Sequence, residues 1–104
     1  MGMVKDIQPK DVQEKLEKGE TLNIIDVRED EEVAEGMIPE AKHIPLGDVE
    51  DRLDEIDKGQ EHIMVCRSGG RSGKAAKYLE DKGYNVLNME GGMLAYEGGT
   101  KPKL

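Results

Sequence analysis

Short apolar runs alternate with longer amphipathic stretches along the 104-residue chain. Residues 3–7 lean apolar and predict a first strand. Pro9 opens a helix where its missing N–H costs little, with Val12 and Leu16 four apart on the inner face and Gly19 at the end. Residues 21–27 centre on Ile24-Ile25, a continuous apolar pair that suits a strand covered on both faces. The acidic run 28–35 predicts a loop and a short helix with a solvated face, stopped by Gly36. Ile38-Pro39 and Ile44-Pro45 mark an extended connection with at most a short edge strand. Val49, Leu53 and Ile56 at i, i+4 and i+7 predict a full helix over 47–57, closed by Gly59. A strand follows over 62–65, then a helix over 72–82 with Ala75, Ala76 and Leu79 inward and Gly83 as its stop. Residues 84–89 predict the last strand, broken by Gly91-Gly92. Residues 93–97 predict one helical turn, and 98–104 a loose tail.

Strands alternating with helices at these intervals predict a one-domain α/β fold. Its central, mainly parallel sheet of about five strands carries helices on both faces, in three layers. Ligands of such sheets bind beyond the carboxyl ends of the strands, and Cys66 falls at such an end.

Composition narrows the partners. No Trp or Phe is present, so the core must come from Ile, Val, Leu, Met and Ala, with six Met available to fill gaps. A net charge of −8 argues against nucleic acid or an anionic membrane as a partner, and any anion must enter a local positive pocket. One cysteine excludes an internal disulfide and fits a reducing compartment. The first six residues lack the apolar core of a signal peptide, and no apolar run approaches a membrane span. The expected location is the cytoplasm and the expected state a monomer.

The chemistry gathers in Val65-Cys66-Arg67-Ser68-Gly69-Gly70-Arg71-Ser72. A strand delivers the only cysteine to a glycine loop that opens a helix. Gly69 and Gly70 permit left-handed backbone, which turns successive amides inward as an anion cradle. The helix start adds its positive end, and Arg67 and Arg71 add permanent cations. All of these favour thiolate over thiol at Cys66. Such a thiolate can attack sulfur, attack phosphorus, or bind or sense an oxidant. Cysteine phosphatases need an arginine six positions after the cysteine. Here Arg71 is five positions on, and the shorter ring suits a single sulfur bonded to Cys66. With no second cysteine, that sulfur must leave to an outside thiol or to cyanide.

These residues resemble the rhodanese family of single-domain sulfurtransferases, and the likeness runs along most of the chain. Ile25-Asp26-Val27-Arg28-Glu29 is similar to its early signature. Gly36 to Ala41, followed by Ile44-Pro45-Leu46, is similar to its G-H-I-P-G-A…I-P-L stretch. Cys66 to Ser72 resembles its active loop, and Glu90 to Tyr96 its closing G-G-x-x-x-W. Met37, Glu40 and Tyr96 depart from the family's His, Gly and Trp, all outside the loop. The resemblance implies a rhodanese-like three-layer fold and a two-step cycle without metal or organic cofactor. In that cycle Cys66 takes the outer sulfur of a small anionic donor such as thiosulfate, becomes a persulfide, and yields it to cyanide or an external thiol. The acceptor is a small molecule, a thioredoxin-like protein or another protein.

The expected site is therefore Cys66 as nucleophile, with Arg67, Ser68, Gly69, Gly70, Arg71 and Ser72 around the substrate. Arg67 has an equal claim to a plain solvent-facing role, and Ser72 to capping the helix or bonding within the loop. Asp26 and Arg28 read as structural, the first fixing loops and the second in an ion pair. His43 and His62 show no spacing to Cys66 that suits a metal. Two other classes remain open: a module that carries sulfur between proteins or senses thiol state, and a small phosphatase or arsenate reductase.

Overall fold

The chain runs β1 (Lys5–Ile7), α1 (Pro9–Glu17), β2 (Asn23–Asp26), α2 (Asp30–Glu35), β3 (Ala41–His43), two 3-10 helices (Leu46–Asp48 and Glu50–Glu55), β4 (Glu61–Val65), α3 (Gly70–Asp81), β5 (Asn85–Met89) and α4 (Gly92–Ala95). This is a computed structural model, and it describes residues 4–103. The strands form one sheet in the order β1-β5-β4-β2-β3, and every neighbouring pair is parallel. β4 is the central strand.

The alternation of side chains along β4 sorts the core into two layers. Ile63 and Val65 pack with Val12, Ile24, Ile38 and Met89, under α1 and α4. Met64 and Cys66 pack with Ile25, Ala75, Ala76, Leu79 and Val86, under α3 and the 3-10 segments. Sheet and flanking helices thus form the expected three layers. The parallel register sets Asp26 beside Val65 and Met64 beside Asn88, so the β2, β4 and β5 ends open onto one edge. That edge is where Cys66 sits.

Four local expectations change. The helix predicted over 47–57 is two 3-10 helices, and Arg52 inside the second departs from helical backbone at φ −117° and ψ 25°. Asp48, Asp51 and Asp54 are weak helix formers within an acidic stretch, while only Val49 and Ile56 are buried. A tighter 3-10 path lets those two reach the core while the chain crosses from β3 to β4. α3 begins at Gly70, two residues before the predicted start. Gly70 has ordinary helical backbone, so of the two loop glycines only Gly69 is left-handed, at φ 101°. The tail expected to be loose is tied down: Met37 and Lys101 exchange N–H···O bonds of 2.8 Å, and the Lys103 N–H donates to the Val33 carbonyl at 3.0 Å. The predicted strand start at Met3 and the tail's last residue, Leu104, lie outside the described residues.

Candidate active site

Cys66 is the first residue past β4, and strand parity turns its side chain toward α3. The left-handed Gly69 reverses the chain and becomes the N-cap of α3. That reversal points the Gly69 N–H at Cys66 Sγ, 3.0 Å away. Ser72, in the first turn of α3 and fully buried, places Oγ 3.3 Å from the same sulfur. Two carbonyls of the loop face the other way. Cys66 O accepts the Met93 N–H at 2.8 Å, and Arg67 O accepts the Leu94 N–H at 2.9 Å. The free amides at the start of α4 thus hold these carbonyls away from the sulfur. Such close approach requires Gly92: a Cβ there would lie 2.5 Å from Cys66 O, Arg67 O and Arg67 C.

Burial acts first on the thiol and pushes its pKa up, since Cys66 is 1% exposed. Hydrogen bonds from the Ser72 hydroxyl and from the backbone N–H groups of Ser72, Gly69 and Ser68 outweigh that and leave it below the usual thiol value. Of the two loop arginines expected to add cations beside the thiolate, Arg71 is paired with a carboxylate. Arg71 donates from Nη1 to Glu32 Oε1 at 2.6 Å and from Nη2 to Glu32 Oε2 at 2.8 Å. This fork holds the Glu32 carboxyl down at about 2 and raises Arg71 further above its already high value. Arg71 also feels the Cys66 charge, but Glu32 outweighs it. Arg67 and Ser68 are exposed beside the thiol. Gly70 is exposed at the head of α3.

The family model for the rhodanese-like domain matches residues 8–98. The chain belongs to the rhodanese-like domain family. It is 52% identical over 100 residues to a Bacillus subtilis protein provisionally named sulfurtransferase YtwF, covering 96% of this chain and 97% of that one. It is 38% identical over 95 residues to a protein of Allochromatium vinosum named sulfurtransferase, covering 90% of this chain and 89% of the relative. The crystal structure of a rhodanese-like domain protein from Staphylococcus aureus superposes with a TM-score of 0.91 at 39% identity, over 97% of this chain and all of that one.

In this rhodanese-like domain Asp26 and Arg28 form a buried pair. Arg28 Nε and Nη2 donate to the Asp26 carboxylate at 2.8–3.1 Å, and Nη2 also reaches Gly36 O at 2.8 Å. The pair fastens the end of β2 to the end of α2 and so presents Glu32 to Arg71. His43 lies off the sulfur, between Arg28 O at 2.7 Å and Lys103 Nζ at 3.0 Å. Among the described residues no group of three or more His, Cys, Asp or Glu side chains is placed to hold a metal ion. No described helix is long and apolar enough to cross a membrane.

The sequence reading missed three contributors to the site. The acidic run predicts a solvated face for Glu32, yet its carboxylate receives both Arg71 and the Glu29 N–H, the latter at 3.0 Å. The pattern Glu29-x-x-Glu32 was a legible capping box that would have singled it out. Asn88 accepts from Ser72 Oγ at 2.6 Å and donates to Gly69 O at 3.2 Å. Its signal was a polar residue on the same strand face as the buried Val86. The third is Gly92, which the sequence marks only as a break after the last strand and as part of the closing G-G motif, and whose close approach to the Cys66 and Arg67 backbone depends on a distant segment.

Proposed function

We propose that this domain is a sulfurtransferase that moves a sulfane sulfur through a Cys66 persulfide. The observation that carries the reading is the Gly69 N–H on Cys66 Sγ in a loop whose Cys66 and Arg67 carbonyls are turned to α4. The names of the two relatives point to the same chemistry. With thiosulfate as donor, the Cys66 thiolate attacks the outer sulfur. A bond forms between Sγ and that sulfur, and sulfite leaves with the electron pair of the broken S–S bond. The new charge sits on the outer sulfur, within reach of inward amides. Cyanide or an external thiolate then attacks the outer sulfur, the Sγ–S bond breaks, and Cys66 is left as thiolate. Exposed Arg67 is the loop cation open to the donor's sulfonate oxygens. Ser68, Gly69, Gly70 and Ser72 shape the cradle. One thiol and no disulfide suit the reducing cytoplasm.

Incubation with thiosulfate and cyanide is expected to yield thiocyanate, and Cys66→Ser to abolish it. Intact-mass measurement after thiosulfate alone is expected to show the added mass of one sulfur atom on wild type and none on Cys66→Ser. If no donor loads sulfur onto Cys66, the proposal is wrong.

The Glu32 fork on Arg71 favours a second reading, in which sulfur arrives from and leaves to protein thiols. A neutralised Arg71 is a weak holder of a small dianion. Protein isolated from cells with sulfur already on Cys66, yet with negligible turnover of thiosulfate, would support delivery over small-molecule turnover.

A further inference from the structure

Gly69 O can only accept a hydrogen bond, so the Asn88 side-chain nitrogen 3.2 Å away must face it. Asn88 Oδ1 therefore faces Ser72. Ser72 Oγ lies 2.6 Å from that oxygen and must donate to it. A serine hydroxyl has one proton. While Asn88 holds it, Ser72 can only accept, so across the 3.3 Å contact the thiol form of Cys66 turns its S–H to Oγ, and the hydroxyl donates to the sulfur only in the thiolate form. The three side chains thus form a directed chain, from Cys66 S–H through Ser72 O–H to Asn88 Oδ1.

We propose that Asn88 is a positioning residue that competes with the Cys66 sulfur for the single proton of Ser72, and so holds the site back from the thiolate form. When Cys66 ionises, its proton leaves to solvent and the Ser72 O–H turns from Oδ1 to Sγ. Asn88 cannot follow by turning its amide over, because its oxygen would then oppose Gly69 O. Ionisation thus exchanges a short O–H···O bond for a longer O–H···S bond. A consequence rests on the sulfur-transfer reading above. Once sulfur is loaded, the charge moves to the outer sulfur and the Ser72 proton returns to Asn88, so Asn88 favours the loaded enzyme over the free thiolate.

The sign of the effect makes this testable without any sulfur donor. If Asn88 merely braces the loop, its loss loosens the Gly69 N–H and leaves Cys66 less ionised. If it competes for the proton, its loss leaves Cys66 more ionised. Iodoacetamide alkylation is measured against pH for wild type, Asn88→Ala and Asn88→Leu, the last of which keeps the branched shape without the polar atoms. Below the wild-type midpoint, each folded variant is expected to react about threefold to tenfold faster, the worth of one ordinary hydrogen bond. In a Ser72→Ala background the same Asn88 substitutions are expected to change nothing. An unchanged or slower reaction, or an equal gain without Ser72, overturns the proposal. Infrared spectroscopy of the native protein supplies a measurement that needs no Asn88 variant, because the single cysteine gives one S–H band. At low pH that band is expected at a hydrogen-bonded frequency, moving up in Ser72→Ala; a free S–H band in wild type also overturns the proposal. Because neither readout uses a sulfur donor, failure here leaves the sulfurtransferase reading standing, and failure to load sulfur leaves this one standing.

Discussion

β4 and β5 lie side by side, and each runs into a helix through a left-handed glycine: Gly69 at φ 101° before α3, and Gly91 at φ 79° before α4. The two turns share a device and differ in length. Residues 66–69 separate β4 from α3, while only 90–91 separate β5 from α4. The longer turn has enough backbone to curl its amides around a side chain. The shorter one brings α4 directly against its neighbour, and its free N–H groups take the Cys66 and Arg67 carbonyls. One turn therefore encloses the sulfur and the other decides which way the enclosing peptides face. An anion cradle of this kind is a property of two adjacent crossovers.

The sharpest way to break the partnership is Gly92→Ala. The new Cβ would sit 2.5 Å from three backbone atoms of the Cys66 turn, at a residue whose φ is +60°. Strain and overlap together are expected to cost about 3 kcal/mol or more. Thermal melting is expected to show that loss, and Cys66 alkylation of the folded protein is expected to slow at neutral pH as its amides turn away. A variant that melts early yet alkylates with the wild-type pH profile would show that α4 does not orient the loop.

Ser72→Ala tests the enclosing turn from inside. It deletes the hydroxyl that lowers the Cys66 pKa and leaves the backbone donors in place. Alkylation at a pH below the wild-type midpoint is expected to slow about threefold to tenfold. No change would mean that the amides alone hold the thiolate.

The enclosing turn was legible in the sequence because cysteine, glycines and a helix start fall within eight residues. The order and type of elements were legible too, since parallel α/β units write apolar runs and amphipathic stretches in alternation. What was lost depends on contacts between distant segments. Asn88 reaches Ser72 across 16 positions and Glu32 reaches Arg71 across 39, and neither pairing has a period. Arg71 was read as a substrate cation because its loop position was visible and its carboxylate partner was not. The 47–57 segment failed for a different reason: its spacing fits a helix, and its aspartates and its short crossing do not.

Glu32→Gln sharpens the comparison at the rim, where α2 meets the enclosing turn. The Glu32 carboxyl is held at about 2, against an ordinary 4.5. A depressed carboxylate stabilises the fold above pH 4.5, and the gain fades as pH falls toward about 2. Arg71 is about one-third exposed (35% of its side chain), so water screens the pair and its worth is about 1 kcal/mol or less. The melting difference between wild type and Glu32→Gln is expected to be largest above pH 4.5 and to vanish near pH 2. Freed from its fork, Arg71 is also expected to lower the KM for thiosulfate. A KM that stays put would show that Arg71 does not meet the donor.

Gly70→Ala should have the smallest effect, and it separates the glycines of one loop. A Cβ at Gly70 meets nothing within 4 Å, and its backbone is already helical. Replacing it is expected to leave Cys66 alkylation unchanged and to add up to about 1 kcal/mol of stability, because alanine loses less backbone freedom on entering a helix. Gly69→Ala one position earlier meets φ 101° and the Gly91 N at 3.3 Å, and the same methyl group there is expected to cost stability and thiolate together. If instead Gly70→Ala slowed alkylation as Gly69→Ala does, the cradle would depend on flexibility along the whole loop, and the division of labour between a fixed reversal at Gly69 and an ordinary helix start at Gly70 would be wrong.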